Sequence, residues 1–404
     1  MKKIFYLIIF TLIFIIFENI QYLIFILLLL FFALYVNLKP INIIKFKHED
    51  YLIVGFIFVH IYGVLLALYF GNNPTYIIRN FAGIVLYLTY FIISSLRLSF
   101  NTLIKLVRNG ILVYLSLFFM RIIFDLSFLD KLLVLDVGSA SSGQSRIFSG
   151  FFAVFAIFIG TSLYYFEQKK QTRFALFMAI SIYLFIFLAA SKGFALILIF
   201  LSVLYVFMNI KAARKRYKLV FIFLFFYFSY NILEYAGYSN IVTNIFAEED
   251  TSNIVRYEQV GILLSELNIF GHGVGATFSS YIRNDEFPYA IEIVYLNLFH
   301  KFGIFGFIYI YGIIYTFYKL SKVYQSEKDR RVVLELMGLM GYSIAALGNP
   351  SLFAPSFVVI HCIVLYYLRY HSKPWFGSVL NKPSKHLWAK YYLFNFAKLH
   401  SRIK

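Results

Sequence analysis

Arg256 and Glu292 bracket the later part of the longest polar stretch in the chain, about fifty residues from Gly237 to Ala290. Between them lie the cluster Gly271-His272-Gly273-Val274-Gly275 and Arg283. A guanidinium and a carboxylate in one place suit a transfer reaction in which a hydroxyl loses its proton while an anionic group departs. Glu292 opens an apolar run where water thins out, a setting that favours general-base work; the plainer reading is an acid at a helix start, balancing the dipole. The segment Asn253–Leu267 has helical apolar spacing, with Arg256 near its N-terminus. A cation there adds to the positive end of the dipole, an unfavourable placement unless an anion is bound, so Arg256 is the first candidate for a phosphate ligand.

Further cations extend the set. Arg146, in Gly143-Gln144-Ser145-Arg146-Ile147-Phe148-Ser149-Gly150, is either a snorkelling anchor at the start of a span or a phosphate clamp. Lys192, in Ala190-Ser191-Lys192-Gly193, occupies a turn too short to need a charge, which points to function. Arg121 precedes Asp125 by four residues, so a helix-face ion pair accounts for it, while Arg79 and Lys131 read as ordinary loop charges. The glycines at 271, 273 and 275 resemble a dinucleotide loop in spelling only, because no βαβ unit surrounds them. They let the backbone turn tightly beside a ligand or a neighbouring helix. His272 is a possible acid or base with a structural role as the default, and His300 is a further supporting candidate. Glu248-Glu249-Asp250 reads as solvated loop charge, since three consecutive carboxylates cannot all face one ion; no metal and no cofactor is expected.

These residues have to be positioned by membrane spans. Of the 404 residues 61% are hydrophobic and 14% charged, and apolar stretches of span length recur from end to end. Lipid offers a bare backbone no hydrogen-bond partners, and the runs are long and not alternating, so the expected fold class is an all-α polytopic membrane protein. About twelve spans are expected, near 4–17, 20–36, 51–70, 76–94, 111–125, 147–166, 174–190, 193–209, 219–236, 291–318, 332–347 and 352–370. Residues 1–370 would form one transmembrane domain with a large extracytoplasmic loop at about 237–290, and 371–404 a basic cytoplasmic tail. Lys385, Trp388, Lys390, Tyr391 and Lys398 in that tail suit either a helix on an anionic leaflet or disorder.

Placing both termini in the cytoplasm puts all but eight of the 37 Lys and Arg residues on the cytoplasmic side, which explains the net charge of +18 without nucleic acid. The eight are Arg79, Arg121, Lys131, Arg146, Lys192, Arg256, Arg283 and Lys301. A cation at or within the apolar zone costs a few kcal/mol, about 2.5–3.5 on insertion scales, unless it pairs or faces water. The lone Cys362 excludes an intrachain disulfide or thiolate cluster. The start, Met1-Lys2-Lys3 with an apolar run to Phe17, imitates a signal peptide but lacks a small-x-small cleavage site and reads as a retained span. With no ATP on the extracytoplasmic side, a substrate must arrive already activated, as a lipid-linked donor does.

The order of motifs over residues 140–360 resembles the O-antigen polymerase and ligase superfamily of bacterial envelope glycan assembly. It runs Arg146–Gly150, Ser191–Gly193, Arg256, Asn268-Ile269-Phe270-Gly271-His272-Gly273-Val274-Gly275, Glu292-Ile293-Val294-Tyr295-Leu296, Gly303-Ile304-Phe305-Gly306 and Gly348-Asn349-Pro350-Ser351-Leu352-Phe353. The N-terminal third matches in hydropathy alone. The resemblance implies a glycosyltransferase with a GT-C-like helical bundle in the bacterial cytoplasmic (inner) membrane. Such an enzyme acts without metal on an undecaprenyl-diphosphate-linked oligosaccharide, in the lipid bilayer and with a chain-length regulator protein as a further partner. Ligases of this superfamily typically carry a histidine followed by Asn where this chain has Glu292-Ile293. The slot is therefore similar to that of polymerase-like members, with the ligase and a lipid-linked oligosaccharide flippase as alternatives. In the implied mechanism Glu292 takes the proton of an acceptor hydroxyl, and Arg256, Arg146, Lys192 and Arg283 meet the departing diphosphate, supported by Gly271, Gly273, His272 and His300.

Overall fold

The computed structural model describes residues 46–133, 136–139, 145–148, 251–278, 291, 293–326 and 355–371, together with Tyr6, Val333, Leu336, Met340, Ser343 and Leu352. In chain order the elements are α1 (His48–Tyr69), α2 (Pro74–Val85), α3 (Leu88–Ser95), α4 (Phe100–Phe124), α5 (Phe128–Leu133), β1 (Asp136–Ser139), β2 (Ser145–Phe148), α6 (Thr251–Ser265), α7 (Val294–Phe302), a 3-10 turn (Gly303–Gly306), α8 (Phe307–Ser326) and α9 (Pro355–His371). Among the described residues three stretches are long and apolar enough to cross a membrane: α1, the α2–α3 pair as Pro74–Ser95, and α7 through α8 as Val294–Ser326.

Local chemistry sets the ends of these helices. Asn73 caps α2 by accepting the Thr75 amide at 2.9 Å, and Pro74 occupies the first helical position, where its missing N–H loses nothing. At the start of α1 the Lys47 amide donates to the Asp50 carboxylate at 2.7 Å, and Glu49 beside it adds a second acid to the positive end of the dipole. Asp125 closes α4 in the left-handed conformation, φ 50°.

α1 is apolar all round. Leu52, Phe56, Val59, Gly63 and Ala67 form a buried stripe at helical spacing, while Val54, Phe58, Ile61, Leu65 and Leu68 are exposed on the remaining face. A helix that is greasy on both its packed and its open face fits lipid and not water. α9 is buried from Phe357 to Tyr366 and is the axis of the bundle, touching α3, α8, α1 and α2. Its Cys362 is a free, buried thiol.

Several boundaries differ from the sequence expectation. The span at 76–94 is two helices with a one-turn break at Leu86–Tyr87. The loop expected at 95–110 shrinks to four residues because α4 begins at Phe100, and α8 runs on to Ser326 through Lys319 and Lys322. Arg79 and Lys131 are helical, in α2 and α5, and not loop residues. A span was expected from 147, yet Ile147 and Phe148 belong to the short antiparallel ribbon of β1 and β2, in which Arg146 stands opposite Gly138. Among the described residues the regular elements are thus helices apart from this ribbon. Ser145 pairs with Ser139 and Arg146 with Gly138, in a part of the sequence rich in Gly and Ser, residue types that disfavour a continuous span. The expected Arg121–Asp125 pair is present at 2.7 Å, and Asp130 of α5 takes the rest of the guanidinium fork at 2.6 and 3.0 Å. The remaining spans, the full length of the polar loop and the tail lie outside the described residues.

Candidate functional site

α6 lies against the entry of α7. Its residues Arg256, Gln259 and Leu263 follow one another at helical spacing on one face. Leu263 is buried with Ile291 and Phe278, with Ile262, Ile293 and Leu296 packed around them. Gln259 is buried and Arg256 half-buried, so the arginine belongs to the packed face of its helix. It is the sixth residue of α6 and not near the N-terminus as the spacing suggested, which moves it beyond the turn over which the dipole is felt. Its candidacy as a phosphate ligand therefore rests on its place beside α7, not on an unfavourable helix start.

After α6 the chain tightens into a strap. Asn268 forms an Asx-type turn by accepting the Phe270 amide at 3.0 Å. From Ile269 to Val274 the backbone runs between α1 and the broken end of α7. The His272 amide donates to the His300 carbonyl at 2.8 Å and the Gly273 amide to the Lys301 carbonyl at 2.9 Å. The Ile304 amide donates to the Ile269 carbonyl at 2.9 Å, and the Val274 amide to the Gly63 carbonyl of α1 at 3.0 Å. The break at Gly303 leaves carbonyls of α7 without an intrahelical donor, and the strap supplies it. Asn72 bonds the His272 and Val274 carbonyls at 2.9 and 3.2 Å, and the Tyr62 hydroxyl the Phe270 carbonyl at 2.9 Å.

The glycines are what allow this approach. Gly273 sits at φ 85°, and a Cβ there would meet the Ala67 backbone of α1, with its Cα at 2.6 Å and the Gly63 carbonyl oxygen at 2.8 Å. Gly271, at φ 82°, is pressed in the same way against Lys301 and Gly303. Of the two purposes read into these glycines, packing beside a neighbouring helix is the one observed. Gly271 and Gly273 are parts of a backbone seam.

The strap brings the histidines together. The rings of His272 and His300 are 4.7 Å apart, and Glu266 bridges them: its carbonyl meets His272 Nε2 at 2.7 Å and its carboxylate meets His300 Nε2 at 3.3 Å. Both of the bonds that engage His272, through its amide and its ring, are to backbone, so the default structural reading of this residue fits. His300 is buried and held by a carboxylate that sequence reasoning did not single out. Lys301, counted among the eight displaced cations but given no role, is buried with its Nζ donating to Asn80 Oδ1 at 2.7 Å. Asn297 is buried one turn before His300. The signal for this group was present in the sequence: Asn297, His300 and Lys301 are polar residues in a run that is otherwise Val, Tyr, Leu and Phe.

Deeper in the bundle two more buried histidines bond through their rings, His361 through both nitrogens. The Tyr87 hydroxyl meets His361 Nδ1, and His361 Nε2 meets Thr316 Oγ1, each at 3.1 Å. His60 Nδ1 bonds the Tyr309 hydroxyl and the Phe56 carbonyl. Of the remaining candidates, Glu292, Lys192 and Arg283 lie outside the described residues, and Arg146 is placed by its backbone in β2. The structure thus brings Arg256, His272, His300 and the two glycines to one end of the bundle. Comparisons with protein-family models, with curated proteins and with solved structures gave no match.

Proposed function

We propose that this chain is a repeat-unit polymerase, a glycosyltransferase that moves a glycan from undecaprenyl diphosphate onto the non-reducing sugar of another lipid-linked repeat unit. What supports the reading most is the docking of α6 on the entry of α7. It sets Arg256 on the packed face of a helix that covers the start of the span that Glu292 precedes by two residues. In the proposed reaction Glu292 takes the acceptor hydroxyl proton as the oxygen bonds to the anomeric carbon, and the diphosphate leaves with the electron pair of the broken bond. Arg256, with Arg146, Lys192 and Arg283, carries the charge that grows on that diphosphate. The order of motifs and the carboxylate in place of a histidine at 292 favour polymerase over ligase.

The test is the envelope glycan of a strain lacking the gene. Single repeat units on the lipid A core support the polymerase, whereas full-length chains retained on undecaprenyl diphosphate indicate a ligase and a loss of all outward glycan indicates a flippase. Complementation with Arg256→Ala or Glu292→Ala should leave the defect in place, with polymer reduced about a hundredfold or more. A normal ladder from either variant removes the site proposed here.

A further inference from the structure

Asn297 and His300 stand one turn apart on α7, each only 1% exposed. Each carries a buried atom with no hydrogen-bond partner among the described residues, Oδ1 of Asn297 and Nδ1 of His300. Leaving such an atom dry costs about 1–3 kcal/mol, so two on one helical face require an occupant. The same bundle does satisfy an imidazole whose role is structural alone, since His361 uses both ring nitrogens.

The partners of the ring define the chemistry of that occupant. A carboxylate only accepts, so the ring nitrogen facing Glu266 carries the hydrogen, and the neutral ring then presents a lone pair at Nδ1. That position takes a hydrogen-bond donor. The Asn297 carboxamide beside it offers the unpartnered acceptor Oδ1. A phosphate or carboxylate has no proton to give Nδ1 and meets the negative charge of Glu266 behind the ring. A cationic ligand meets Lys301, the next residue in the chain and itself buried. A neutral ring bearing hydroxyls satisfies both demands: one hydroxyl donates to Nδ1, and a second donates to Asn297 Oδ1. Phe278, whose ring lies 5.6 Å from that of His300, adds an aromatic wall of the kind that lies against sugar rings.

We propose that Asn297 and His300, with Glu266 fixing the ring, form a subsite for the hydroxyls of a neutral sugar, distinct from the cations that meet the diphosphate. The identification of that sugar as the acceptor end of a glycan rests on the polymerase reading above; the subsite itself does not. The strap positions it, because the His272 amide grips the carbonyl of His300.

The full-length chain, purified in detergent, is melted in the presence of methyl glucoside, methyl galactoside or methyl N-acetylglucosaminide, and in parallel with inorganic pyrophosphate. At least one glycoside should stabilise the wild type, and its half-effective concentration should rise roughly tenfold in Asn297→Ala and in His300→Gln. The pyrophosphate response should be the same in all three. Equal glycoside responses in wild type and variants, or no response in wild type, overturn the subsite. Loss of the pyrophosphate response in the variants also overturns it, because the pair would then touch the diphosphate. Asn297→Ser, which keeps a donor and an acceptor, should recover binding; if His300→Gln does not accumulate, recovery by Ser over Ala decides the matter, and no recovery sinks the proposal. A chain that binds a glycoside through this pair but is dispensable for the glycan ladder keeps the subsite and loses the polymerase reading. A chain required for the ladder whose variants bind like wild type does the reverse.

Discussion

The two ends of the helix bundle are closed by different chemistry. At the Lys47 end, charges close on each other: Asp50 accepts from Arg369 at 2.8 and 3.1 Å and from the Tyr90 hydroxyl at 2.7 Å, while Glu49 accepts from Tyr315 at 2.8 Å. Lys47 adds a bond from its Nζ to the Arg369 carbonyl, so α1, α3, α8 and α9 are tied at one level. At the Gly71 end the strap ties α1 to α7 through backbone bonds, the carboxamide of Asn72 holds the strap, and Lys301 of α7 reaches Asn80 of α2. The first arrangement is made by charged and hydroxyl side chains meeting one another. The second frees side chains, because the seam is carried by peptide groups, and it is there that Asn297 and His300 keep unspent polar atoms. Paired charge therefore marks the stapled end, and a peptide seam beside Asn297 and His300 marks the end proposed for a ligand.

The comparison breaks most severely at Gly273. A side chain there faces a left-handed φ and the backbone of α1 together, so Gly273→Val should cost about 3 kcal/mol or more and prevent accumulation of folded protein in the membrane, as read by detergent-extracted monomer on size exclusion. The stapled end comes next. Arg369→Met removes one partner of a pair whose acid is buried, and should destabilise by about 3 kcal/mol, lowering the melting temperature without altering glycoside binding. If Arg369→Met instead abolishes binding while the fold survives, the division between the two ends is wrong.

Gly71 provides a control with a smaller effect. Its φ is 71°, but a Cβ there meets nothing within 4 Å, so Gly71→Ala should cost about 1 kcal/mol, from conformation alone. A loss as large as that at Gly273 would mean that strain and not the seam dominates there. The smallest effect concerns Lys47, just outside α1, whose pKa is lowered from 10.5 by burial and then by Arg369. The unfolded chain holds that proton more tightly, so this lysine makes stability rise as pH climbs from the lowered value toward 10.5. Lys47→Met should lack that rise, and melting curves of the two proteins across the alkaline range should diverge slightly in favour of wild type.

Much of the fold was legible because hydropathy is a one-dimensional quantity. α1 and the α2–α3 pair match the spans expected at 51–70 and 76–94 to within a few residues, the α7–α8 stretch matches 291–318 at its start and runs on to Ser326, and the helix expected at Asn253–Leu267 appears as Thr251–Ser265. Helix ends were less legible wherever an amphipathic helix carries its cations onward, as α4 does with Lys105 and Arg108 before its apolar half. Gly271 and Gly273 announced a tight turn, but their spelling did not say against what. Glu266 gave no signal at all: a lone acid at the end of a surface helix becomes significant only when the chain doubles back and sets it on His300, 34 positions away.

Composition and spacing thus determined that the described spans are apolar helices, where the helix before the strap lies in the chain and which cations have to be explained, because hydropathy is read residue by residue. Only the tertiary structure decided that the glycine cluster is a seam and that Lys301 answers Asn80 across 221 positions. It alone shows that Asn297 Oδ1 and His300 Nδ1 are left wanting donors. Hydrogen bonds are short and directional, and which groups meet, or fail to meet, is a property of packed helices that no linear pattern contains.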